Sequence, residues 1–157
     1  MEKKIISVIN QKYGVGKTTT VINLAAGLSM KAEKKVLVID LDPQGNATTG
    51  LGLSNNISSD RTIYKCTKRK QKIYEVIQQT NFENLNIISS NVDLSGLEVE
   101  TAEITAEHLK LKDELGSLIL NDPRASYDYI TDCPPSLEKV SIMALWPLKL
   151  GCNWASD

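Results

Sequence analysis

The sequence contains few of the residues that mark secreted, metal-binding or membrane-spanning proteins. Among its 157 residues are three cysteines, one histidine and one phenylalanine. Cys66, Cys133 and Cys152 lie far apart and form no CxxC pair, so neither a disulfide framework nor a zinc site is expected. No apolar run approaches the roughly 20 residues that a membrane-spanning helix needs, and the short apolar run near the N-terminus is typical of a strand rather than a signal peptide. We therefore expect a cytoplasmic protein.

The sequence also lacks an excess of charge of either sign. Its 18 Lys and Arg residues and 19 Asp and Glu residues give a formal net charge of −1, so the global charge does not indicate binding to nucleic acid or to a membrane surface. The remaining composition, 41% hydrophobic and 24% charged residues, is typical of a soluble globular protein. The length predicts a single domain over residues 1–157.

Short apolar segments alternate with helical patterns along the chain. The predicted strands are residues 5–9, 36–39, 85–88 and 127–131. The predicted helices are about residues 17–30, 72–80 and much of 97–120. The segment 45–60 is rich in Gly, Asn, Ser and Thr and is predicted as a loop. The alternation predicts an α/β fold with a mainly parallel sheet, in which ligands bind at the carboxyl ends of the strands.

The segment after the first predicted strand has the residue types of a phosphate-binding loop. It reads QKYGVGKTT, residues 11–19. Gly14 and Gly16 would let the backbone curl tightly with its N–H groups inward, and the following helix would direct its positive end to the same point. Lys17 would then reach the β- and γ-phosphates, and the Thr18 hydroxyl would bind Mg²⁺. Gln11 replaces the first glycine of the ordinary pattern, so the loop is a variant.

Two further predicted strands end in aspartates. Asp40 and Asp42 follow the second strand, and Asp132 ends the fourth strand just before two prolines, which is the Walker B pattern. Carboxylates at this edge can hold a Mg²⁺-bound water or orient an attacking water. Asp40 and Asp42 could instead belong to an ordinary strand-to-loop turn, and the fourth strand could simply happen to end in Asp132. The neighbouring glycine loop favours the magnesium interpretation.

Three segments resemble the ParA/Soj family of chromosome- and plasmid-partitioning ATPases, in the MinD/ParA group with a deviant Walker A motif. They are INQKYGVGKTTTVINLAAGLS, VLVIDLDPQGNATTGLG and YDYITDCPPSL. The resemblance covers about residues 5–145 and implies a P-loop NTPase-like sheet flanked by helices, with ATP or ADP and Mg²⁺ as cofactors. It also implies an ATP-dependent homodimer that binds DNA non-specifically, a ParB/Spo0J-like centromere-binding partner and a nucleoid-associated location. No C-terminal amphipathic membrane anchor is visible, so no membrane partner is expected.

The resemblance also implies roles for individual residues. Lys12 would be the signature lysine that reaches across the dimer, and Asp42 would position the attacking water. Asp40 and Asp132 would support the metal together with Thr18. The implied nucleotide contacts are Lys12, Gly14, Val15, Gly16, Lys17, Thr18 and Thr19, and the implied catalytic residues are Lys12, Lys17 and Asp42.

Three features depart from the family pattern. Tyr13 replaces a glycine beside the γ-phosphate and the partner subunit, and would be strained by about 1–3 kcal/mol if that position needs a positive φ. Two residues instead of three separate Tyr129 from Asp132, which either shifts the upstream half of the strand or misplaces Asp132. The family continues well past residue 145, whereas residues 146–157 form an atypical tail. We therefore expect a C-terminally truncated form whose fold is incomplete relative to the family.

Three functions compete on these observations. The first is a Mg²⁺-dependent ATPase switch of DNA segregation, which Lys12 and the aspartates favour. The second is a truncated module that binds ATP or ADP without productive dimerisation or hydrolysis. Tyr13, the shortened strand and the missing C-terminal part favour this second function, so the sequence leaves ATP hydrolysis open. The third is a small-molecule P-loop enzyme such as a ligase or kinase, against which the segment DLDPQGNAT argues.

Overall fold

The computed structural model describes residues 4–31, 35–54, 57–67, 71–96, 106–121 and 127–135. The strands in these residues are β1 (Ile5–Val8), β2 (Lys35–Asp40), β3 (Ile77–Gln79), β4 (Leu85–Ile88) and β5 (Tyr127–Asp132). The α-helices with described bounds are α1 (Lys17–Lys31), α2 (Asn46–Gly50), α3 (Ile63–Thr67) and α4 (Ala106–Asn121). Short 3-10 turns cover Ser59–Arg61, Ile73–Val76 and Val92–Ser95. The predicted tail, residues 146–157, lies outside the described residues, and the single-domain organisation stays a prediction.

The five strands form one sheet in the order β1-β5-β2-β4-β3. β1, β5, β2 and β4 run parallel to one another, and β3 pairs antiparallel with β4. The mainly parallel sheet confirms the predicted α/β class. Because parallel neighbours end at the same edge, the carboxyl ends of β1, β2 and β5 meet there together with the loops that come after them.

Apolar cores lie on both faces of the sheet. Side chains alternate along a strand, so each central strand contributes to both cores. The core beside α3 and α4 includes Leu37, Ile39, Tyr129, Ile63, Leu111 and Leu115. The core beside α1 and α2 includes Val36, Val38, Ile130, Val21, Ala25 and Ala47. The sheet is thus covered by helices on both faces, as a parallel sheet requires.

Two predicted segments have a different structure. Residues 46–50, predicted as loop, form helix α2, because Ala47 is buried in a core and Thr48 bonds to the end of β2. Residues 72–80, predicted as helix, form a 3-10 turn followed by strand β3. There the pairing of β3 with β4 and the burial of Ile73 and Val76 override a helix-like pattern. Helix α4 lies within the segment 97–120 that was predicted as largely helical and extends to Asn121.

The register of β5 shows how the shortened strand is accommodated. Asp132 pairs with Asp40 and Tyr129 pairs with Leu37. Tyr129 lies in the α4-side core and its hydroxyl donates to the Leu118 carbonyl at 3.3 Å, whereas Ile130 lies in the α1-side core. Asp132 is two residues beyond Ile130 and therefore faces α1 and the glycine loop. The shortened strand thus still brings Asp132 to the glycine loop, where it meets Thr18.

Candidate functional site

The glycine loop curls between the end of β1 and the start of α1. Gly14 has φ +70° and Gly16 has φ +86°, left-handed values that residues with a side chain rarely adopt. A Cβ at either position would have no atom within 4 Å, so the backbone conformation rather than space requires glycine. The Gly16 carbonyl accepts a hydrogen bond from the Thr20 N–H at 2.8 Å, which starts α1 at the loop. The loop therefore ends at the positive end of a helix.

A cavity of about 280 Å³ lies at this edge of the sheet. Its walls come from the glycine loop, the first turn of α1 and the segments after β2 and β5. The lining residues are Tyr13, Gly14, Val15, Gly16, Lys17, Thr18, Thr19, Asp42, Asn46 and Pro135. All the predicted nucleotide contacts line the cavity except Lys12, and Asp42 joins them.

Lys17 is the positively charged residue of the cavity lining. Its Nζ donates a hydrogen bond to the Lys12 carbonyl at 2.9 Å. The Lys12 N–H in turn donates to Asn10 Oδ1 at 2.9 Å. These two bonds fix the first half of the loop through its backbone, while Lys12 itself is exposed. The ammonium of Lys17 is thus placed at the loop, where an anionic group would meet it.

Thr18 and Asp132 form a pair at the base of the loop. The Thr18 hydroxyl donates to Asp132 Oδ2 at 2.8 Å. Asp132 is fully buried, and its Oδ1 accepts no hydrogen bond from any described residue. Burial raises the pKa of Asp132 to about 6; the Thr18 hydrogen bond and the charge of Lys17 oppose this rise, and nearby Asp42 adds to it. A buried carboxylate oxygen without a partner suits a cation or its bound water.

Asp40 has quite different surroundings. Its Oδ2 accepts hydrogen bonds from the Thr48 N–H at 2.9 Å and the Thr48 hydroxyl at 2.7 Å, and its Oδ1 accepts one from the Asp42 N–H at 3.1 Å. Burial raises its pKa to about 7, an effect that the Thr48 bonds oppose and Asp132 strengthens. Neither Asp40 nor Asp132 is part of the cavity lining, so the two carboxylates differ in their hydrogen-bond partners rather than in access to the cavity. The metal role of Asp40 stays a prediction, and its hydrogen bonds make Asp40 the anchor of the loop after β2.

Thr48 joins the ends of two strands and was not predicted from the sequence. Besides its bonds to Asp40, the Thr48 hydroxyl accepts a hydrogen bond from the Ser90 N–H at 3.1 Å. Gly45, with φ +63°, lets the chain pass so closely that a Cβ would lie 3.0 Å from the Ser90 carbonyl oxygen. Thr48 belongs to a segment predicted as loop, and no local signal in the sequence shows that its hydroxyl turns inward.

Asn46 and Pro135 were also missed as cavity residues. Pro135 lies in the segment DCPPS, which was predicted only to follow the strand. Its position just after Asp132 is the signal that could have identified it.

Asp42 is held by its own turn, since its Oδ1 accepts a hydrogen bond from the Gln44 N–H at 2.9 Å. The loops after β2 and β5 thus form the wall opposite the glycine loop.

Tyr13 lies at the mouth of the cavity with 83% of its surface exposed. Among the described non-glycine residues, only Asn84 has a positive φ. The backbone strain expected at Tyr13 is therefore absent. Compared with the glycine of the family pattern, Tyr13 adds a large exposed ring close in sequence to the partly exposed Val15.

The described residues offer no metal site built from protein ligands alone. No group of three or more His, Cys, Asp or Glu side chains in the described ranges is arranged to hold a metal ion. A magnesium ion here would depend on Thr18, on water near Asp132 and on phosphate oxygens, which is how Mg²⁺ is commonly held beside nucleotides. None of the helices described is both long enough and apolar enough to cross a membrane.

A glycine loop between a parallel strand and a helix, with a threonine–aspartate pair at its base, defines a P-loop nucleoside triphosphatase-like domain. A family model described as an AAA domain matches residues 3–147. The chain therefore belongs to the AAA domain family, and curated relatives confirm its resemblance to the ParA/Soj partitioning ATPases.

Two of these relatives carry the partitioning names. The chain is 44% identical over 144 residues to the chromosome partitioning protein ParA of Myxococcus xanthus, covering 90% of this chain and 48% of the relative. It is 41% identical over 143 residues to the sporulation initiation inhibitor protein Soj of Bacillus subtilis, covering 90% and 54%. The chain thus spans about half the length of the curated relatives it matches.

Solved structures share the fold. A cobyrinic acid a,c-diamide synthase from Mycobacterium smegmatis with a bound ATP analogue and magnesium has a TM-score of 0.77 at 30% identity, covering 92% of this chain and 56% of the other. A plasmid partition protein from Borrelia burgdorferi has a TM-score of 0.74 at 32% identity, covering 92% and 61%. Because a synthase and a partition protein match almost equally well, the fold alone does not separate these functions.

Proposed function

We propose that the chain binds ATP or ADP with Mg²⁺ in the glycine-loop cavity, as part of a ParA/Soj-like partitioning ATPase. The observation that carries the proposal is the Thr18–Asp132 pair. One Asp132 oxygen accepts from Thr18 at 2.8 Å, and the other is buried without a partner among the described residues, beside the predicted phosphate loop. The solved synthase holds an ATP analogue and magnesium on the same fold.

The positions of the loop residues, Asp42 and Asp132 support a role for each of them in this proposal. The backbone N–H groups from Gly14 to Thr19 bind phosphate oxygens, and the Lys17 ammonium leaves the Lys12 carbonyl to neutralise the β- and γ-phosphates. The Thr18 hydroxyl and Asp132 would hold Mg²⁺, which would supply charge neutralisation at the phosphates. Asp42, held by the Gln44 N–H, orients the attacking water.

The proposal also includes dimerisation, DNA binding and a partner protein. Lys12 is exposed and directly precedes Tyr13, which leaves it available to a second subunit in an ATP-dependent homodimer. Non-specific DNA binding, a ParB/Spo0J-like partner and a cytoplasmic, nucleoid-associated location are proposed from the partitioning relatives. The matched part is about half the length of these relatives, so we propose these properties for the whole protein.

A second candidate function is nucleotide binding without productive dimerisation or hydrolysis. The exposed ring of Tyr13 favours it, because the ring lies at the cavity mouth beside Lys12 and Val15, where a second subunit would have to pack. A bulky ring there hinders the partner more than the nucleotide, since it lines the mouth rather than the base of the loop.

Titration of the chain with ATP and ADP, with and without Mg²⁺, tests the binding proposal. We expect Lys17→Ala to weaken ATP binding at least about tenfold, because a charge contact to phosphate is lost. Lys31→Ala, at the exposed far end of the same helix, is the matched control and should bind like the parent chain. Equal affinity of the Lys17→Ala variant would contradict the proposal.

ATP turnover measured with DNA present separates the two candidate functions. Turnover that Lys17→Ala abolishes supports the ATPase switch, whereas binding without turnover supports the binding module. Turnover that survives Lys17→Ala would contradict both.

A further inference from the structure

The proposed nucleotide site gives no ligand contact to the side chain of Tyr13. This residue lines the cavity together with the glycine loop, yet 83% of its surface is exposed, so its ring is not packed against the rest of the protein. A tyrosine ring ends in a hydroxyl that can donate a hydrogen bond. Hydroxyl groups at the wall of a cavity are among the polar groups that fix the orientation of a ligand. The phenol of Tyr13 is therefore a candidate ligand contact.

The hydrogen bond of Lys17 indicates at which end of the cavity Tyr13 lies. Lys17 Nζ donates to the Lys12 carbonyl at 2.9 Å, and the carbon of that carbonyl is bonded directly to the Tyr13 nitrogen. The lysine of a phosphate-binding loop reaches the β- and γ-phosphates. The ammonium and the start of Tyr13 thus lie at the same end of the loop. The Tyr13 side chain therefore begins beside the position that a γ-phosphate would take.

The backbone at Tyr13 accommodates a large side chain without strain. Among the described non-glycine residues only Asn84 has a positive φ, whereas Gly14, the residue after Tyr13, has φ +70°. The left-handed part of the loop thus begins after Tyr13, and the ring stays at the mouth of the cavity. A tyrosine has only two side-chain torsions, so it can be ordered against a ligand at a low cost in conformational entropy.

We propose that Tyr13 is a specificity-determining residue, whose hydroxyl donates a hydrogen bond to the γ-phosphate of ATP bound to the same chain. The inference rests on the proposed binding of ATP or ADP in this cavity. ADP lacks the γ-phosphate and cannot accept this bond. Hydrogen bonds to phosphate oxygens are charge-assisted and about twice as strong as those between neutral groups. Tyr13 therefore raises the affinity for ATP relative to ADP, and its ring covers the mouth of the cavity when ATP is bound.

Two variants of Tyr13 separate the effect of the hydroxyl from that of the ring. Tyr13→Phe removes the hydroxyl alone, and Tyr13→Gly removes the whole side chain. Titrations with ADP and with a non-hydrolysable ATP analogue that keeps the γ-phosphate, both with Mg²⁺, give the two affinities. We expect Tyr13→Phe to weaken binding of the analogue about tenfold and binding of ADP less than about twofold. Tyr13→Gly should weaken binding of the analogue at least as much.

A tyrosine outside the cavity provides the matched control. Tyr74 is partly exposed and does not line the cavity. Tyr74→Phe removes the same hydroxyl group as Tyr13→Phe and should bind both nucleotides like the parent chain. Circular dichroism checks that each variant is folded.

Nitration of tyrosine, mapped by mass spectrometry, tests where the ring lies. The exposed ring of Tyr13 should react readily in the nucleotide-free chain. The ATP analogue should protect Tyr13 from nitration, whereas ADP should leave its nitration rate unchanged. Tyr74 should react equally in all three states. The experiment is run at a protein concentration at which sedimentation shows a monomer, because a second subunit would also cover Tyr13.

The possible failures of this inference differ from a failure of nucleotide binding. Unchanged binding of the ATP analogue by Tyr13→Phe, an equal loss for both nucleotides, or tighter binding by Tyr13→Gly would overturn the inference while nucleotide binding stands. Protection of Tyr13 that occurs only in a dimer would also overturn it, since the partner would then cover the ring. A parent chain that binds neither nucleotide would contradict the proposed function, and this inference with it.

Discussion

Asp40 and Asp132 lie side by side at the ends of the neighbouring strands β2 and β5, yet their carboxylates have opposite surroundings. Asp40 accepts three hydrogen bonds from Thr48 and Asp42, so its oxygens are occupied within the protein. Asp132 accepts one, from Thr18, and keeps a buried oxygen without a described partner. Two aspartates in similar sequence contexts therefore have different tasks: Asp40 holds a loop in place, and Asp132 is available to a ligand.

The difference arises from the path of the chain beyond each strand. After Asp40 the chain turns back through Gly45 and places α2, with Thr48, over the strand end. After Asp132 the chain leaves through Cys133 and the prolines, and α1 presents only the Thr18 hydroxyl. Occupied carboxylates stabilise a fold because their loss leaves several buried donors unpaired. Unoccupied buried carboxylates cost stability and are kept where a ligand uses them.

The largest expected effect is on stability. Asp40→Ala leaves the Thr48 N–H, the Thr48 hydroxyl and the Asp42 N–H without an acceptor, so we expect the free energy of unfolding to fall by about 3 kcal/mol. Asp132→Ala removes one hydrogen bond and relieves a buried charge, and we expect a change below about 1 kcal/mol. Urea denaturation of both variants in the absence of nucleotide measures the difference. Equal losses would contradict the distinction between the two carboxylates.

The second largest effect is on the pH dependence of stability, which should follow the titration of Asp40. Its pKa is raised to about 7 by burial, from an ordinary value of 3.8. Between these values the folded state binds more protons than the unfolded state, so this group's contribution to stability is present below the lower pKa and is lost as pH rises to about 7. The slope is at most about 1.4 kcal/mol per pH unit. Asp132, with a pKa of about 6, adds the same sign over a narrower range.

Unfolding curves of the parent chain and of Asp40→Asn between pH 5 and pH 7 check this prediction. The parent should lose stability with rising pH more steeply than the variant, which cannot titrate at this position. Parallel curves for the two proteins would show that Asp40 titrates outside this range.

A smaller effect is expected at Thr48, which supports Asp40 from α2. Thr48→Val keeps the shape of the side chain but removes the hydroxyl that donates to Asp40 and accepts from Ser90. We expect a loss of about 1–2 kcal/mol in the free energy of unfolding. Thr49→Val, whose hydroxyl makes only long contacts of 3.3 and 3.4 Å to backbone carbonyls, is the control and should change stability by less than about 0.5 kcal/mol. Thermal denaturation of the two variants suffices, and a larger loss at Thr49 would reverse the interpretation.

Much of this site could be predicted from the sequence, because its residue types specify local backbone geometry. Gly14 and Gly16 have the left-handed conformations that a phosphate loop needs, and Leu85–Ile88 forms the strand that its short apolar run predicts. Asp132 and Thr18 meet because a parallel sheet brings its strand ends to the edge where the loop lies.

The predictions made from the sequence fail where tertiary contacts determine the local structure. The helix around Thr48 depends on a hydroxyl that turns inward to Asp40, and the pattern of residues 72–80 gives way to pairing between β3 and β4. The separation of Asp40 from Asp132 could not be predicted for the same reason, since both carboxylates end apolar strands. At Tyr13 the expected strain was wrong, because the backbone there does not take the positive φ found at Gly14.

The most direct test of the account is the effect of Mg²⁺ on ATP affinity, measured by calorimetry in Asp132→Asn and Asp40→Asn. We predict that Mg²⁺ strengthens ATP binding by the parent chain, that Asp132→Asn reduces this gain at least about tenfold, and that a folded Asp40→Asn retains it. The opposite pattern, in which Asp40→Asn abolishes the gain and Asp132→Asn keeps it, would contradict the account.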